Sequence, residues 1–531
     1  MKYPRLLWIL LALALLGAMI GYFISTERPF FSSPKAGTAA TKTSSPEQVV
    51  FDFPAILSEQ PTVEDLDFPN SAIEGELVVH FTNRHDYLAY LKALAVAGVP
   101  PLGQIDELLA VRIPEGALLL ADFGQYGARA SYSYRVERPL PPIEIDPEIF
   151  AGLTGFGASA RAITGGTVSG TGEGVLVGIL DSGIQAHLQF DEVYTVHIDL
   201  VGGGVAGPGA AHGTSVASII TGSEGIAPDA ELFVVRVLDD AGLGNSYHVA
   251  QGIVQAVDLG VKVINMSLGL YQDAPLLRQA VAYAHERGVL MVAAAGNDGY
   301  DRMPYPAAYP EVLAVTAVDG SGQQARFPNQ SKEIDFAAPG VGILTAQEDE
   351  GTVLFSGTSA AAPFVSGTLA SLISGADALP PKQAVELLER LLNDQGAPGV
   401  DPVYGAGVLD WTRLRERAAV GLLDVALADI YLLPNALPGT TMPIEVTVQN
   451  RGTKWCSDAQ LEIFIGEAEP VSFILGSLGP GQTTTRKVFT AIPSHDSDVR
   501  LNIGARVLTE KMMEDVRLEN NVKAVVFRPV R

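Results

Sequence analysis

Three short stretches of this chain carry side chains suited to acyl transfer. Ile179-Leu180-Asp181-Ser182-Gly183 places a carboxylate at the end of an apolar run, just before a small turn. His212-Gly213-Thr214-Ser215-Val216-Ala217-Ser218 places a histidine at the start of a helical stretch, and Gly357-Thr358-Ser359-Ala360-Ala361-Ala362-Pro363 opens a helix of small residues with a serine. A serine hydroxyl is a poor nucleophile until an adjacent base takes its proton. Histidine, titrating near neutrality, suits that role. A buried carboxylate fixes the imidazole tautomer and stabilises the imidazolium. A fourth stretch, Ala293-Ala294-Ala295-Gly296-Asn297-Asp298-Gly299, offers the Asn297 side-chain N–H to a developing oxyanion. Alone, each stretch reads as a turn, Asn297 before Gly299 above all. Jointly, in this order and on suitable elements, they point to a nucleophilic serine.

Such side chains need a rigid frame. Apolar, strand-like runs at 175–180, 232–238, 261–266, 289–294 and 312–318 alternate with helical patterns near 214–221, 246–259, 275–287, 359–373 and 382–392. That alternation predicts an α/β domain with a parallel sheet covered on both faces, over about 143–420. Sites in such sheets gather at the carboxyl ends of the strands. Before it, 74–142 reads as a small α+β unit: strands at 76–81 and 108–113, helical spacing from Tyr87 to Leu94, a short helix at 118–123, and a final alternating strand at 132–136. Pro139, Pro141 and Pro142 mark its end. From 421 to 531 short alternating runs such as Ile444-Glu445-Val446-Thr447-Val448, parted by turns such as Gly479-Pro480-Gly481, predict a β-sandwich.

The four motifs resemble those of the subtilisin-like serine proteases, or subtilases, from about 162 to 409. The resemblance implies Asp181, His212 and Ser359 as a catalytic triad and Asn297 as oxyanion donor. It also implies that Gly242-Leu243-Gly244 and Ser267-Leu268-Gly269 flank an extended substrate, pairing backbones with it as an added strand. Tyr404-Gly405-Ala406-Gly407 is similar to the turn that closes the family's catalytic domain. The unit at 74–142 is similar in layout to an inhibitory propeptide, and the sandwich resembles bacterial cell-adhesion-related domains of immunoglobulin-like fold. Several residues depart from the family: Gln185-Ala186-His187-Leu188 lacks the proline usual after that histidine, Ala360 and Phe364 replace Met and His, and Ser218 replaces Gly. Pro304 stands where relatives often have Gly or Asn lining the primary specificity pocket. The loop 221–226 is too short to wrap a calcium ion. No metal and no cofactor are expected. His80, His85, His197, His248, His285 and His495 show no metal-ligand spacing, and His187 is read as structural.

Sixty acidic against 35 basic residues give a net charge of −25. So acidic a surface argues against nucleic acid as a partner; the expected partners are protein or peptide substrates, with no expectation for oligomeric state. The single cysteine, Cys456, excludes an intrachain disulfide and reads as a small buried hydrophobe. Lys2 and Arg5 precede an apolar run at 6–24, 19 residues long, enough for one membrane span. Residues 1–25 are therefore expected to be an uncleaved signal anchor, a cleaved signal being the alternative. Residues 26–73 follow as a flexible linker. The catalytic domain would lie outside the cytoplasm in a bacterial-type cell envelope, membrane-anchored, or secreted after a cut expected between Pro142 and Ala162. Two other functions fit the sequence less well. A lipase needs a Gly-x-Ser-x-Gly elbow and the order serine, acid, histidine, which is absent. A catalytically inactive scaffold on the same fold has no need of all four site residues.

Overall fold

The computed structural model describes residues 71–119, 126, 128–139, 153–325, 327–348, 350–433, 439–492, 500–510 and 514–527. The apolar run 6–24, residues 26–70 of the linker and residues 143–152 of the expected cut region lie outside the described residues. Among the described residues, no helix is long and apolar enough to cross a membrane.

The N-terminal unit is a four-stranded antiparallel sheet, ordered β2(Gly103–Ile105), β3(Ala110–Pro114), β1(Glu76–His80), β4(Arg129–Ser131). One helix, α1(Arg84–Val96), covers it, started by Asn83, whose side chain accepts from the Asp86 N–H. Tyr87, Tyr90 and Leu94 of that helix pack on Leu77, Val79, Val111 and Ile113. The final strand expected at 132–136 is not one strand. The chain pairs with β1 at β4, leaves the sheet, and forms β5(Arg135–Glu137) against a different part of the molecule. Alternation alone cannot tell which sheet a strand joins.

The central domain holds a seven-stranded, wholly parallel sheet. It comprises β6(Leu176–Asp181), β7(Thr195–Asp199), β8(Glu231–Arg236), β10(Val263–Met266), β11(Leu290–Ala294), β12(Leu313–Val318) and β13(Phe336–Pro339), in the order β13-β12-β11-β10-β6-β8-β7. Most of its strands are buried almost throughout, because helices cover both faces. The short β9(Leu243–Asn245) stands outside this sheet. The helices are α2(Ala160–Thr164), α3(Ala211–Ile220), α4(Ser246–Leu259), α5(Pro275–Glu286), α6(Thr358–Leu372), α7(Pro381–Arg390) and α8(Trp411–Glu416). α4 is bounded as its sequence requires: Asn245 caps its start by accepting from the His248 N–H, and Gly260, with φ 91°, ends it in a left-handed turn. A hairpin of β14(Ile343–Gln347) and β15(Gly351–Phe355) leads into α6.

The C-terminal domain packs two antiparallel sheets face to face. One is ordered β16(Val425–Leu432), β17(Thr441–Asn450), β20(Thr483–Ala491). The other is ordered β19(Val471–Leu478), β18(Cys456–Ile465), β21(Leu501–Leu508), β22(Val522–Phe527). Alternate residues such as Ile444, Val446, Leu461, Ile463, Ile503 and Ala505 fill the space between them, as a sandwich requires. Cys456 is buried in that core.

Candidate active site

Asp181, His212 and Ser359 come from three elements meeting at the carboxyl end of the central sheet: the last residue of β6, the first turn of α3 and the first turn of α6. His212 Nδ1 lies 2.8 and 3.0 Å from the two Asp181 carboxylate oxygens. Asp181 is fully buried, His212 is 7 % and Ser359 2 % exposed. The Ser182 N–H donates to the same carboxylate at 2.7 Å, so the oxygen facing the ring is held from two sides. Phe355 stacks edge-on against the His212 ring, with centroids 5.4 Å apart. His212 Nε2 and Ser359 Oγ are both buried and both lack a hydrogen-bond partner among the described residues. Catalytic hydrogen bonds are often long before substrate closes the site. A Cβ on Gly213 would overlap the Gly183 carbonyl, so glycine after the histidine lets α3 approach the strand end that bears Asp181.

α6 is buried along its whole length and opens from Gly357, whose φ of 126° favours glycine. Asn297, just beyond β11, reaches this opening. Its Oδ1 accepts from the Thr358 N–H at 2.9 Å and from Thr358 Oγ1 at 2.8 Å. That orients the amide and leaves Nδ2 on the Gly357 side, 2.9 Å from where a Cβ there would stand. Behind Ser359, Ser366 donates to Asn265, Asn265 to Ser267, and Ser267 to the Ser359 carbonyl, at 2.8, 3.1 and 3.2 Å. This buried chain ties α6 to β10.

The segments 242–244 and 267–269 face each other across a groove that holds β5. Arg135, Val136 and Glu137 pair antiparallel with Asn245, Gly244 and Leu243. On the other side Glu137 exchanges both backbone bonds with Gly269, at 3.0 and 2.9 Å, and the Arg138 N–H donates to the Gly242 carbonyl at 3.0 Å. A Cβ on Gly242 would meet the Arg138 side chain at 2.7 Å, so glycine there makes room for it. Pro304 closes the far wall, 2.8 Å from a Cβ built on Gly269.

The motifs did not flag Arg236. It is 1 % exposed, lies in register with Asp181 across β6 and β8, and donates from Nη1 to the Ser182 carbonyl at 2.6 Å and from Nη2 to Asp240 at 2.8 Å. A charged residue ending the apolar run Phe233-Val234-Val235 was the available signal. His187 accepts from the Gln189 N–H at 3.0 Å and contacts the Gly351 carbonyl at 3.1 Å, a structural role. Among the described residues no group of His, Cys, Asp and Glu could hold a metal ion.

Residues 172–407 match the subtilase family and residues 423–525 the CARDB family. Over 253 residues the chain is 35 % identical to Subtilisin Savinase of Lederbergia lenta, covering 45 % of this chain and 90 % of that protein. It is 36 % identical over 252 residues to a thermostable alkaline protease of Halalkalibacterium halodurans, covering 45 % and 66 %. It is 34 % identical over 271 residues to the minor extracellular protease Epr of Bacillus subtilis (strain 168), covering 48 % of this chain and 41 % of the relative, less than half of its length.

Proposed function

Because the chain belongs to the subtilase family and is a serine-type endopeptidase, we propose that Asp181, His212, Ser359 and Asn297 are its catalytic residues. Ser359 Oγ attacks the scissile carbonyl carbon while His212 Nε2 takes its proton. Asp181 holds Nδ1–H and stabilises the imidazolium, and Asn297 Nδ2 donates to the oxyanion. The tetrahedral adduct collapses, the amine leaves with the proton from Nε2, and water then releases the acyl group by the same steps. The observation that carries this reading is the buried Asp181–His212 pair beside a second buried, unpartnered pair of atoms, His212 Nε2 and Ser359 Oγ.

Substrate is proposed to lie extended between 242–244 and 267–269, as β5 does. The N-terminal unit is then an inhibitor in cis, its strand filling the groove until the chain is cut. The attachment raises its effective concentration to the millimolar range, so modest contacts suffice. The antiparallel register supports a cut near Pro139 rather than within 143–161: two residues beyond the Glu137–Gly269 pair, Pro139 comes opposite Ser267, whose hydroxyl touches the Ser359 carbonyl. Residues 6–24 are proposed to anchor the uncut chain to a membrane, with the cut freeing the protease outside the cytoplasm.

Ser359→Ala is the test. In a subtilisin the loss of this serine costs about six orders of magnitude in turnover. The variant should fold, fail to cleave casein, fail to react with a phosphonofluoridate that labels the wild type, and stay uncut where the wild type yields two fragments. Near-normal turnover in the variant would sink the assignment; a fully active, uncut wild type would sink the inhibitor reading alone.

A further inference from the structure

Away from the groove, a cavity of about 760 Å³ opens between the catalytic domain and the sandwich. α7 and α8 form one side; the turn after β17 and the turn 480–481 form the other. Four arginines line it: Arg390, Arg413, Arg417 and Arg451. Such a gathering is unexpected in a chain of net charge −25.

The hydrogen bonds of Arg413, Arg417 and Arg451 go to neutral oxygens. Arg413 Nη1 donates to the Leu392 carbonyl and the Asn393 side chain, at 2.5 and 3.2 Å. Its Nε is buried without a partner, and the residue is 3 % exposed. Arg417 donates to the carbonyls of Val168 and Leu414 and to the Ser169 hydroxyl. Arg451 Nε donates to the Gln449 amide oxygen at 3.1 Å. Among the described residues, none of the four is ion-paired with a carboxylate. Two carboxylates, Glu386 and Glu416, also line the cavity. Glu416 and Asp424 pair with Arg517, Asp410 caps α8 and accepts from Asn393, and the exposed Glu386 lies 4.0 Å from Lys382. Burial lowers Arg451 and brings Arg413 down to about 10; the charge of Arg451 is the next cause for Arg413, Asp410 and Asp424 oppose the shift of both, and Asp394 also opposes that of Arg451. For both arginines the cost of burial outweighs the attraction of those carboxylates.

We propose that this cavity binds a polyvalent oxyanion, a phosphate or a polycarboxylate, held by several guanidinium groups and joining the sandwich to the catalytic domain. Guanidinium forks suit that class, because two parallel N–H groups match two anionic oxygens.

The test titrates sodium phosphate and, separately, citrate into the full-length Ser359→Ala protein by calorimetry at fixed ionic strength. One saturable site is expected for at least one of the two, and which one reports the source of the anion. Arg390→Gln, on an exposed side chain that folding does not need, and Arg451→Gln should each weaken binding about tenfold or more. Arg278→Gln, on a surface arginine elsewhere, should leave it unchanged. The inference is overturned if neither anion gives a saturable site, or if binding is the same in Arg390→Gln as in the parent. Should Arg451→Gln not fold, Arg390→Gln decides alone.

Discussion

The proposed site residues were legible only jointly, from their order along the chain, though each motif sets its reactive side chain among small residues that seat it. Gly213 and Gly357 are glycines because the backbone comes too close, or turns the wrong way, for a Cβ. Arg236 was not legible, because nothing in its local sequence links it to Asp181, 55 positions upstream. Their adjacency exists only once β6 and β8 pair in register. Arg236 holds the Ser182 carbonyl, the link immediately after Asp181, the proposed triad carboxylate, so on that proposal it acts on the site through that backbone. Arg236→Met would leave that carbonyl without its donor and Asp240 without its partner. We expect turnover to fall about tenfold or more with KM little changed, since the groove itself is untouched. Arg236→Lys, which restores a cation and one donor, should recover part of the loss. A rise in KM with unaltered kcat would place Arg236 in substrate binding instead.

Five of the seven strands of the central sheet and its five longer helices were readable to within a few residues, since apolar runs and amphipathic helices leave different patterns, whereas β7 and β13 were not read from the sequence. The miss at 132–136 shows where that reading stops. β4 and β5 are parted only by 132–134 but pair with different domains, β5 lying along the groove strand that holds Gly244. The docking of the N-terminal unit also rests on two histidines at its contact with α4 and α5. Burial lowers His80 to about 4, opposed by a hydrogen bond from Gln279; Ser131 is its other neighbour. His248 is lowered to about 4 by burial first and by Arg112 second, opposed by Asp199, with Asn245 beside its ring. Both are neutral when docked and recover ordinary values near 6.5 when exposed. The docked state therefore binds fewer protons, and docking weakens as pH falls from about 6.5 to about 4. Hydrogen exchange at the Glu137 and Arg138 amides of the Ser359→Ala protein, corrected for intrinsic rates, should quicken across that window. His248→Gln should reduce the change, and exchange that stays flat with pH would refute the argument.

The molecule as a whole is three cores in a row, which length and changing periodicity already indicated, but the way the cores are joined was not readable. The catalytic domain meets the sandwich through polar contacts between residues distant in sequence. Gln449 donates to the Leu392 carbonyl at 3.0 Å, the Gly396 N–H donates to Asp429 at 2.8 Å, and Arg517 bridges Glu416 and Asp424. No hydrophobic period announces such a junction. It carries its own titration. Asp394 is raised to about 6 by burial first, with Asp401 and Asp429 as like-charged neighbours; the Gly399 N–H and Arg451 act against them. Its proton is thus held more tightly in the joined state than at an ordinary carboxylate near 3.8. By linkage, the joined state loses stability as pH rises from about 4 to about 6, and then levels off. The histidines of the N-terminal unit titrate in the same window with the opposite sign, so the melting temperature of the wild type alone would mix the two. The difference between Asp394→Asn and its parent, both carrying Ser359→Ala, isolates the junction. Asparagine keeps an oxygen for the Gly399 N–H and cannot ionise against Asp401 and Asp429. The variant's melting temperature relative to the parent should therefore rise between pH 4.5 and 6.5, by roughly 2–4 °C for each 1 kcal/mol relieved. A difference that stays constant across that range would mean that Asp394 ionises as an ordinary carboxylate and that the junction is indifferent to its charge.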